Sequence, residues 1–239
     1  YNLHMKVYSI SDFHLSIDKP KPMNVFGSVW DNYRQEIVDN CKVIDNDDLL
    51  LVAGDISWAM NIDEAIPDLR YISALPGKKV LTRGNHDYWW KGIGSVRAVL
   101  PKGVYAIQND AVKFDNVVIC GSRGWTTPEP NAIEEAEDKK IYARELLRME
   151  MSLTCAKKLC VDGDKIIAMI HYPPFNSKFD DSRFTELFDK FNVSAVVYGH
   201  LHGKSVRSET VVLKNGIKYY LTSCDIIKNN PVHVDITEA

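Results

Sequence analysis

Short apolar segments recur along the chain, and each one stops at a glycine or a polar residue. The runs are residues 5–10, Leu49–Ala53, Lys78–Thr82, Lys165–Ile170 and 194–198. Leu49–Ala53 is apolar at every position, as expected of a parallel strand that is covered on both faces. The pattern predicts a set of buried strands in an α/β fold.

A helical spacing of apolar residues separates the first three of these strands. One set recurs every three or four residues: Trp30, Tyr33, Ile37, Cys41 and Ile44. A second set follows a capping-box sequence at residues 61–64: Ile62, Ala65, Ile66, Leu69 and Ile72. The first 90 residues therefore predict strand–helix–strand–helix–strand, with right-handed crossovers and a parallel sheet.

The second half of the chain mixes shorter strands with one long helix. Residues 104–108, 111–114 and 117–120 are strand-like, and residues 132–159 predict a charged helix. Its apolar stripe predicts packing on the body of the protein: Tyr142, Leu146, Met149, Leu153 and Ala156. Residues 206–213, 217–222 and 232–236 predict antiparallel hairpins, with Asn215-Gly216 as a turn. We expect residues 5–239 to form a single domain and residues 1–4 to be a remnant of cloning.

Composition excludes several classes of partner. The 239 residues are 45% apolar and carry a formal net charge of −3, so we expect a globular protein without a nucleic-acid surface. No apolar run approaches the roughly 20 residues that a membrane span needs. The five cysteines form no C-x-x-C pair, which is typical of reduced thiols and favours the cytoplasm.

Potential metal ligands follow the predicted strands directly. They are Asp12, His14, Asp55, Asn85, His86, His171, His200 and His202, which include five of the seven histidines. In open α/β sheets, ligands bind at the carboxyl ends of the strands. We therefore expect these distant segments to converge at one edge of the fold.

The mixture of donors indicates the kind of centre. Carboxylates, an amide oxygen and imidazoles suit Mn, Fe, Zn or Co, whereas a magnesium site would hold fewer imidazoles. So many donors exceed the needs of one tetrahedral ion but suit two ions, roughly 3.5–4 Å apart, that share a carboxylate. Such a pair lowers the pKa of a bridging water and stabilises an in-line displacement at phosphorus. The donor set alone thus predicts a hydrolase.

Five sequence blocks resemble the calcineurin-like metallophosphoesterases. In chain order they are Asp12-x-His14, Gly54-Asp55, Gly84-Asn85-His86-Asp87, His171 and Gly199-His200-x-His202. The strings GDISWAM and RGNHDYWW are similar to a group of small bacterial phosphohydrolases. The resemblance implies an α/β fold of two facing mixed β-sheets flanked by helices, an αββα sandwich, with a dimetal site at the carboxyl ends of the strands.

The resemblance also implies a role for each ligand. One ion would be held by Asp12, His14, Asp55 and His202, and the other by Asp55, Asn85, His171 and His200. His86 would be the general acid, with Asp87 as a supporting group, while a metal-bridging hydroxide attacks phosphorus in line. We expect Mn²⁺, with Fe, Zn, Co and Ni as alternatives. The helical segment at about residues 126–160 would lie near the rim of the active site.

The differences from the family narrow the expected substrate. Protein Ser/Thr phosphatases of this superfamily carry an Asp-Arg pair after the second block, where this chain has Ile56-Ser57-Trp58. We therefore expect a small-molecule phosphate ester or a nucleotide, with monoester, diester and pyrophosphate all open. The oligomeric state is also open.

Five further residues are candidates for the site or its surroundings. Arg123, flanked by Gly121 and Gly124, is predicted to bind phosphate, with pairing to a surface carboxylate as the alternative. Trp58, Trp89 and Trp90 either line a substrate cleft or pack inside. Asp225 follows a strand-like run and could approach the site, although only its position suggests this.

Two other functions compete with hydrolysis. A non-enzymatic metal-binding scaffold of the same fold would be expected to lose His or Asp at the strand ends, and all seven ligands are present. A dimetal redox protein would more often use paired Glu-x-x-His motifs, which the sequence lacks. We therefore predict an enzyme, a metal-dependent phosphoesterase.

Overall fold

A computed structural model describes residues 5–133, 135–203 and 209–236, which contain two β-sheets. The strands of the first sheet are β1 Val7–Ser9, β2 Leu49–Ala53, β3 Lys78–Thr82, β4 Val104–Ala106 and β11 Val232–His233. Their order across the sheet is β11-β1-β2-β3-β4. β1 to β4 are parallel, as the first 90 residues predict for β1 to β3, and β11 is antiparallel to β1.

The second sheet has the strand order β5-β6-β7-β8-β10-β9. Its strands are β5 Ala111–Phe114, β6 Val117–Ser122, β7 Lys165–Ile170, β8 Ala195–Tyr198, β9 Val211–Lys214 and β10 Ile217–Leu221. β6, β7, β8 and β10 are parallel, while β5 and β9 are antiparallel edge strands. The predicted turn at Asn215-Gly216 is confirmed, because both residues have positive φ.

The two sheets face each other because their strands are apolar on both sides. Leu49, Leu51 and Ala53 of β2 lie in the core between the sheets. Leu50 and Val52 point to the opposite face and pack against helices. Complete burial of one such leucine or valine stabilises the fold by about 1.5–3 kcal/mol. The continuous apolar run of β2 thus accounts for a strand in the middle of a layered sandwich.

Helices cover the two outer faces. α1 Tyr33–Asn40, α2 Ile62–Ala74 and α3 Ile93–Val99 pack on the first sheet, whereas α4 Ala136–Leu159 and α5 Arg183–Lys190 pack on the second. The predicted cap of α2 is confirmed, since the Asn61 side chain accepts a hydrogen bond from the Glu64 amide. No helix in the described ranges is long and apolar enough to cross a membrane. The αββα sandwich is confirmed.

Two helices were not predicted. α3 has a single buried apolar residue, Val96, and gives little periodic signal. The sequence of α5 does carry a helical signal. Phe184, Leu187 and Phe188 are spaced for one helix face, and Ser182 forms a capping box. The helix predicted from residue 30 to residue 44 is shorter, because 3₁₀ turns flank α1.

The prediction of hairpins for the whole tail is wrong for residues 232–236. β11 crosses to the first sheet and pairs with β1, where the Val234 amide donates to the carbonyl of Val7. Val234 is buried between the sheets, so burial of its apolar side chain stabilises the pairing of β11 with the open edge of β1. β10 likewise pairs in parallel with β8. Residues 206–208 of the predicted strand 206–213 lie outside the described residues, as do residues 1–4.

The carboxyl ends of the central strands meet at one edge of the sandwich. The Ser11 amide donates to the Thr222 carbonyl, and the Cys224 amide donates to the Ser11 carbonyl. These bonds join the segment after β1 in the first sheet to the segment after β10 in the second. Side chains that follow strands of different sheets are therefore brought together here.

Candidate metal centre

The first group of potential ligands comes from the ends of β1 and β8. His14 Nε2 lies 3.3 Å from His202 Nε2, and His202 Nε2 lies 3.4 Å from Asp12 Oδ1. Asp12 and His14 are buried, and one atom from each of the three residues can reach a common point. Three donors from segments nearly 190 residues apart in the chain thus converge as the sequence predicts.

The second group surrounds the side-chain oxygen of Asn85. Asn85 Oδ1 lies 2.7 Å from His171 Nε2 and 2.9 Å from His200 Nδ1. The two imidazole nitrogens are 3.3 Å apart. An amide oxygen and two ring nitrogens therefore converge beside the first group.

Asp55 lies between the two groups. Its Oδ2 is 3.7 Å from His14 Nε2 and 3.4 Å from His171 Nε2. Its Oδ1 accepts a hydrogen bond of 2.8 Å from the His86 amide, which fixes the orientation of the carboxylate. Asp55 Oδ2 therefore faces one imidazole of each group.

The backbone of this edge adopts an uncommon conformation. Asp12, His14, Asp55 and His200 all have positive φ, between 45° and 73°. Such φ values are uncommon for residues other than glycine, and strained backbone clusters at functional sites. Four of the seven predicted ligands are therefore held by a backbone that turns their side chains toward one another.

Two glycines permit this close approach. A Cβ added to Gly84 would overlap Asp55, and a Cβ added to Gly199 would overlap the Asp12 carboxylate. Each glycine immediately precedes ligand residues in the sequence motifs. Glycine is required at these positions because the loops touch the carboxylates through their backbone.

The ligand groups have strongly perturbed pKa values. Burial lowers the pKa of His14 to about 4 and that of His200 to about 4. Burial opposes protonation of His171 as well, but the Asp55 carboxylate raises its pKa to about 9. The pKa of Asp55 is itself lowered despite burial, chiefly by His171. The centre therefore combines an ionised carboxylate with two imidazoles, those of His14 and His200, whose burial disfavours a proton, and with the His171 imidazole, whose proton Asp55 favours.

These features fit a pair of divalent cations. His14 Nδ1 is buried without a hydrogen-bond partner among the described residues, while Nε2 of the same ring faces the other donors. Lone pairs that converge at about 3 Å repel one another unless protons or cations lie between them. The donors are carboxylate, amide and imidazole, which suit ions such as Mn, Fe, Co and Zn.

Further hydrogen bonds orient two of the imidazoles. His171 Nδ1 donates to the Ala53 carbonyl at 2.9 Å, which leaves Nε2 for the centre. Asp225 Oδ1 lies 2.8 Å from His202 Nδ1, and its Oδ2 accepts from the Gly203 amide. The expectation that Asp225 could approach the site is confirmed. Its contact lies on the side of His202 away from the other donors.

His86 occupies a different position from the ligands. Its ring centroid lies 5.6 Å from that of His14 and 4.6 Å from that of Trp58. Its Nδ1 lies 3.4 Å from the Tyr88 hydroxyl, so Nε2 is left for other contacts. The side chain is partly exposed at the edge of the centre. Tyr88 was not singled out in the sequence, although it lies only two residues beyond His86.

Asp87 is buried and holds the surrounding loops. Its Oδ1 accepts hydrogen bonds from the amides of Ile56 and Ser57 and from Trp89 Nε1, while Oδ2 accepts from the Gly84 amide. Burial, with a smaller contribution from Asp55, raises its pKa to about 6. The carboxylate thus connects the loop after β2 to the loop after β3.

Comparison with known proteins identifies the family to which this chain belongs. The calcineurin-like phosphoesterase family matches residues 5–204, which is most of the chain. The chain belongs to this family. A search of curated proteins gives no match.

Three solved structures illustrate the likeness of this chain to proteins with the same fold. An Aquifex aeolicus protein of unknown function is 20% identical, with 96% of each chain covered and a TM-score of 0.50. A Thermus thermophilus protein is 11% identical, covers 98% of this chain and 100% of its own, and has a TM-score of 0.61. A phosphopantetheinyl hydrolase from Mycobacterium tuberculosis is 15% identical, covers 96% of this chain and 95% of its own, and has a TM-score of 0.55. At these identities the likeness shows the fold alone.

In this phosphoesterase, Arg123 lies beside the candidate metal centre. Its carbonyl accepts hydrogen bonds from the amides of His171 and Tyr172, so β6 ends at the same edge as β7. Its guanidinium lies 3.4 Å from Glu145 on α4 and 4.9 Å from the ring of Trp125. The side chain is 19% exposed, so it does not extend into solvent.

Positive charge exceeds negative charge around Arg123. Glu145 is buried and also pairs with Arg148 at 2.7 Å. Arg83 interacts electrostatically with Arg123, and its Nε is buried without a hydrogen-bond partner among the described residues. Arg123 therefore pairs with a buried rather than a surface carboxylate, and it shares that carboxylate with Arg148 and, at 3.8 Å, with Arg144. The sequence did not indicate this cluster.

Trp58, Trp89 and Trp90 of the phosphoesterase separate into two kinds. Trp58 stacks on His14 at 4.9 Å and is partly exposed, so it borders the centre. Trp89 and Trp90 are fully buried in the core under the first sheet. Packing therefore explains Trp89 and Trp90, whereas Trp58 lies where a substrate could touch it.

Proposed function

We propose that this phosphoesterase hydrolyses a small-molecule phosphate ester or a nucleotide with two divalent metal ions. The observation that carries the proposal is the position of Asp55 between two converging groups of donors. A carboxylate that faces both groups suits a bridge between two ions. Membership of the calcineurin-like phosphoesterase family supports hydrolysis of phosphoesters with the help of metal.

The seven predicted ligands divide into two sets that share Asp55. Asp12, His14, Asp55 and His202 would hold one ion, and Asp55, Asn85, His171 and His200 the other. Bound ions of this kind lower the pKa of water and polarise phosphoryl oxygens. Mn²⁺ is the proposed ion, with Fe, Zn, Co and Ni as alternatives, because the donors include four imidazoles and no thiolate.

His86 is proposed as the general acid. Tyr88 lies beside its Nδ1 and Trp58 against its ring, which together limit rotation of the imidazole. A proton on Nε2 then passes to the leaving oxygen as the bond from phosphorus to that oxygen breaks. Asp87 contributes by position, because its carboxylate accepts from the Gly84 amide before Asn85 and from the Trp89 indole after His86.

Arg123 is proposed to bind phosphate oxygens from the side of the second sheet. We expect Arg123→Ala to lower kcat/KM by about 10- to 150-fold, since one charge-assisted hydrogen bond contributes about 1.5–3 kcal/mol. Steady-state kinetics and metal analysis would test this, with both ions expected to stay bound. Arg70→Ala, at an exposed position on α2, is the matched control. An unchanged kcat/KM in the Arg123 variant contradicts the assignment.

The surroundings of the site also belong to this proposal. Residues 5–239 are proposed as one metallophosphoesterase domain, supported by the pairing of β11 with β1. The helical segment at residues 126–160 would border the site, as the contact between Arg123 and Glu145 suggests. A reducing, cytoplasmic setting is supported by five free cysteines.

Metal removal tests the proposal directly. Dialysis against a chelator should abolish hydrolysis of 4-nitrophenyl phosphate, bis(4-nitrophenyl) phosphate and nucleotides, and added Mn²⁺ should restore hydrolysis of at least one of them. The panel would also separate monoesterase from diesterase activity. Full activity after verified removal of metal contradicts the proposal. A protein that binds two ions and hydrolyses no ester in the panel would instead be a metal-binding scaffold.

A further inference from the structure

A cavity of about 330 Å³ opens beside His200, on the second sheet's side of the candidate metal centre. Two loops form it, one after β6 at residues 126–129 and one after β7 at residues 172–179. Tyr172 and His200 both line the cavity, and their ring centroids are 4.2 Å apart. A substrate with its phosphate at the centre therefore has space for its organic part here.

The walls of the cavity are mostly apolar. Phe175 is buried at its base, and Pro173, Phe179 and Leu201 are partly exposed to it. Hydroxyl and amide groups lie around the edge, among them exposed Thr126. Apolar walls with a few polar groups are typical of sites for organic ligands, and the volume falls within the usual range of about 300–1,000 Å³.

Charge in the cavity is unfavourable for an anion. Among the described residues that line it there is no lysine or arginine, and the one carboxylate is that of Glu129. Glu129 accepts hydrogen bonds from the amide and the hydroxyl of Ser177, so it joins the two loops. An organic group with its own carboxylate or phosphate would meet this charge without a compensating cation.

The placement of Phe179 involves backbone strain. Its φ is 57°, which is an outlier for a bulky side chain. A turn built on Asn176 maintains this conformation, because the Phe179 amide donates to the Asn176 carbonyl and the Asp180 amide donates to the Asn176 side chain. The result is an edge-on contact between Phe175 and Phe179 at 5.1 Å. Strain of this kind persists at binding sites because the surrounding structure enforces it.

We infer that this cavity binds the organic part of the substrate, and that this part is uncharged and largely apolar. The inference rests on the proposed phosphoester hydrolysis and names its substrate class: phosphate esters of neutral alcohols or phenols with an apolar body. Phe175, Phe179 and Leu201 would contact that body. The arginine cluster around Glu145 lies outside the described lining of the cavity.

Two esters of phenols with similar acidity test the substrate class. The Mn²⁺-loaded enzyme is assayed with 2-naphthyl phosphate, which is apolar, and with 4-carboxyphenyl phosphate, which is anionic. Each is supplied as the monoester and as its methyl diester, so that either kind of activity reports on the cavity. We expect kcat/KM for the naphthyl ester to be about tenfold higher or more, the size of effect expected for an apolar pocket.

Two variants assign the preference to the cavity. Phe179→Asn replaces the ring with a polar residue that tolerates positive φ, and it should reduce the naphthyl preference about tenfold through a higher KM. Thr126→Lys adds a cation at an exposed edge position and should shift the preference toward the carboxylated ester. Phe114→Asn is the matched control, because Phe114 pairs with Val117 at the far end of β6.

The outcomes separate this inference from the proposed function. Hydrolysis of both esters with equal kcat/KM, unchanged by Phe179→Asn and by Thr126→Lys, overturns the inference and leaves the proposed function standing. Absence of hydrolysis of every ester by the metal-loaded enzyme overturns both. A naphthyl preference that the two variants change in the stated directions supports the assignment.

Discussion

Replacement of Asp55 by asparagine is expected to reduce hydrolysis about 10³-fold and to lower metal content below two ions per chain. Asp55 Oδ2 faces His14 on one side and His171 on the other, so the substitution weakens both groups of donors. A pair of ions contributes several kcal/mol of transition-state stabilisation, and about 1.4 kcal/mol corresponds to a factor of ten in rate. Elemental analysis and steady-state kinetics measure the two effects.

The matched control for Asp55→Asn is Asp47→Asn, at an exposed turn position before β2. Asparagine keeps the shape of the aspartate side chain, and its remaining oxygen can still accept from the His86 amide. Circular dichroism should therefore show a folded protein. A variant that binds two ions and keeps its activity would show that Asp55 does not bridge.

His86→Ala should slow turnover by about 10²–10⁴-fold while two ions stay bound, because a positioned acid contributes that much to the rate. His86 lies at the edge of the centre, and its ring nitrogens take no part in the two converging groups of donors. The loss should be largest for alkyl esters, whose leaving oxygens need a proton, and smallest for 4-nitrophenyl esters. Kinetics across a series of leaving groups measure this dependence.

His233→Ala serves as the control for His86, since His233 lies on β11 and is exposed. The leaving-group series gives a result that a purely structural defect would not, because a misfolded loop slows all esters alike. If the His86 variant loses metal in proportion to activity, then His86 is a ligand. The general-acid assignment would then be wrong.

The strands could be predicted because each carries its own signal. Leu49–Ala53 is buried at all five positions, so its apolar run is explained by its place between two covered faces. The same holds for Lys165–Ile170, which is buried at all but its first residue. The apolar stripe of α4 was also predicted correctly at Leu146, Met149 and Leu153. In each case local periodicity and final burial agree, because these segments contribute whole faces to the core.

Helices α3 and α5 show where local signals were missed or too weak. α3 spans seven residues and buries only Val96, too few positions for a periodic pattern. α5 carries a capping box and a clear apolar face, so its sequence is sufficient to predict a helix. The pairing of β11 with β1 is a different case. These two strands are more than 220 residues apart in the chain and pair because β1 has an open edge. No local sequence pattern predicts which strand covers that edge.

The sequence by itself determined the class of this protein and the donors of its centre. Glycine followed by carboxylate, amide or imidazole at the strand ends is a local arrangement, and parallel strands must deliver such residues to one edge. Only the tertiary structure decided which groups surround them: Asp225 behind His202, Glu145 against Arg123, and the cavity between the loops after β6 and β7. These contacts join segments whose spacing in the chain carries no information about their distance in space. They depend on how two sheets and their loops pack, which is fixed by the whole core rather than by any one motif.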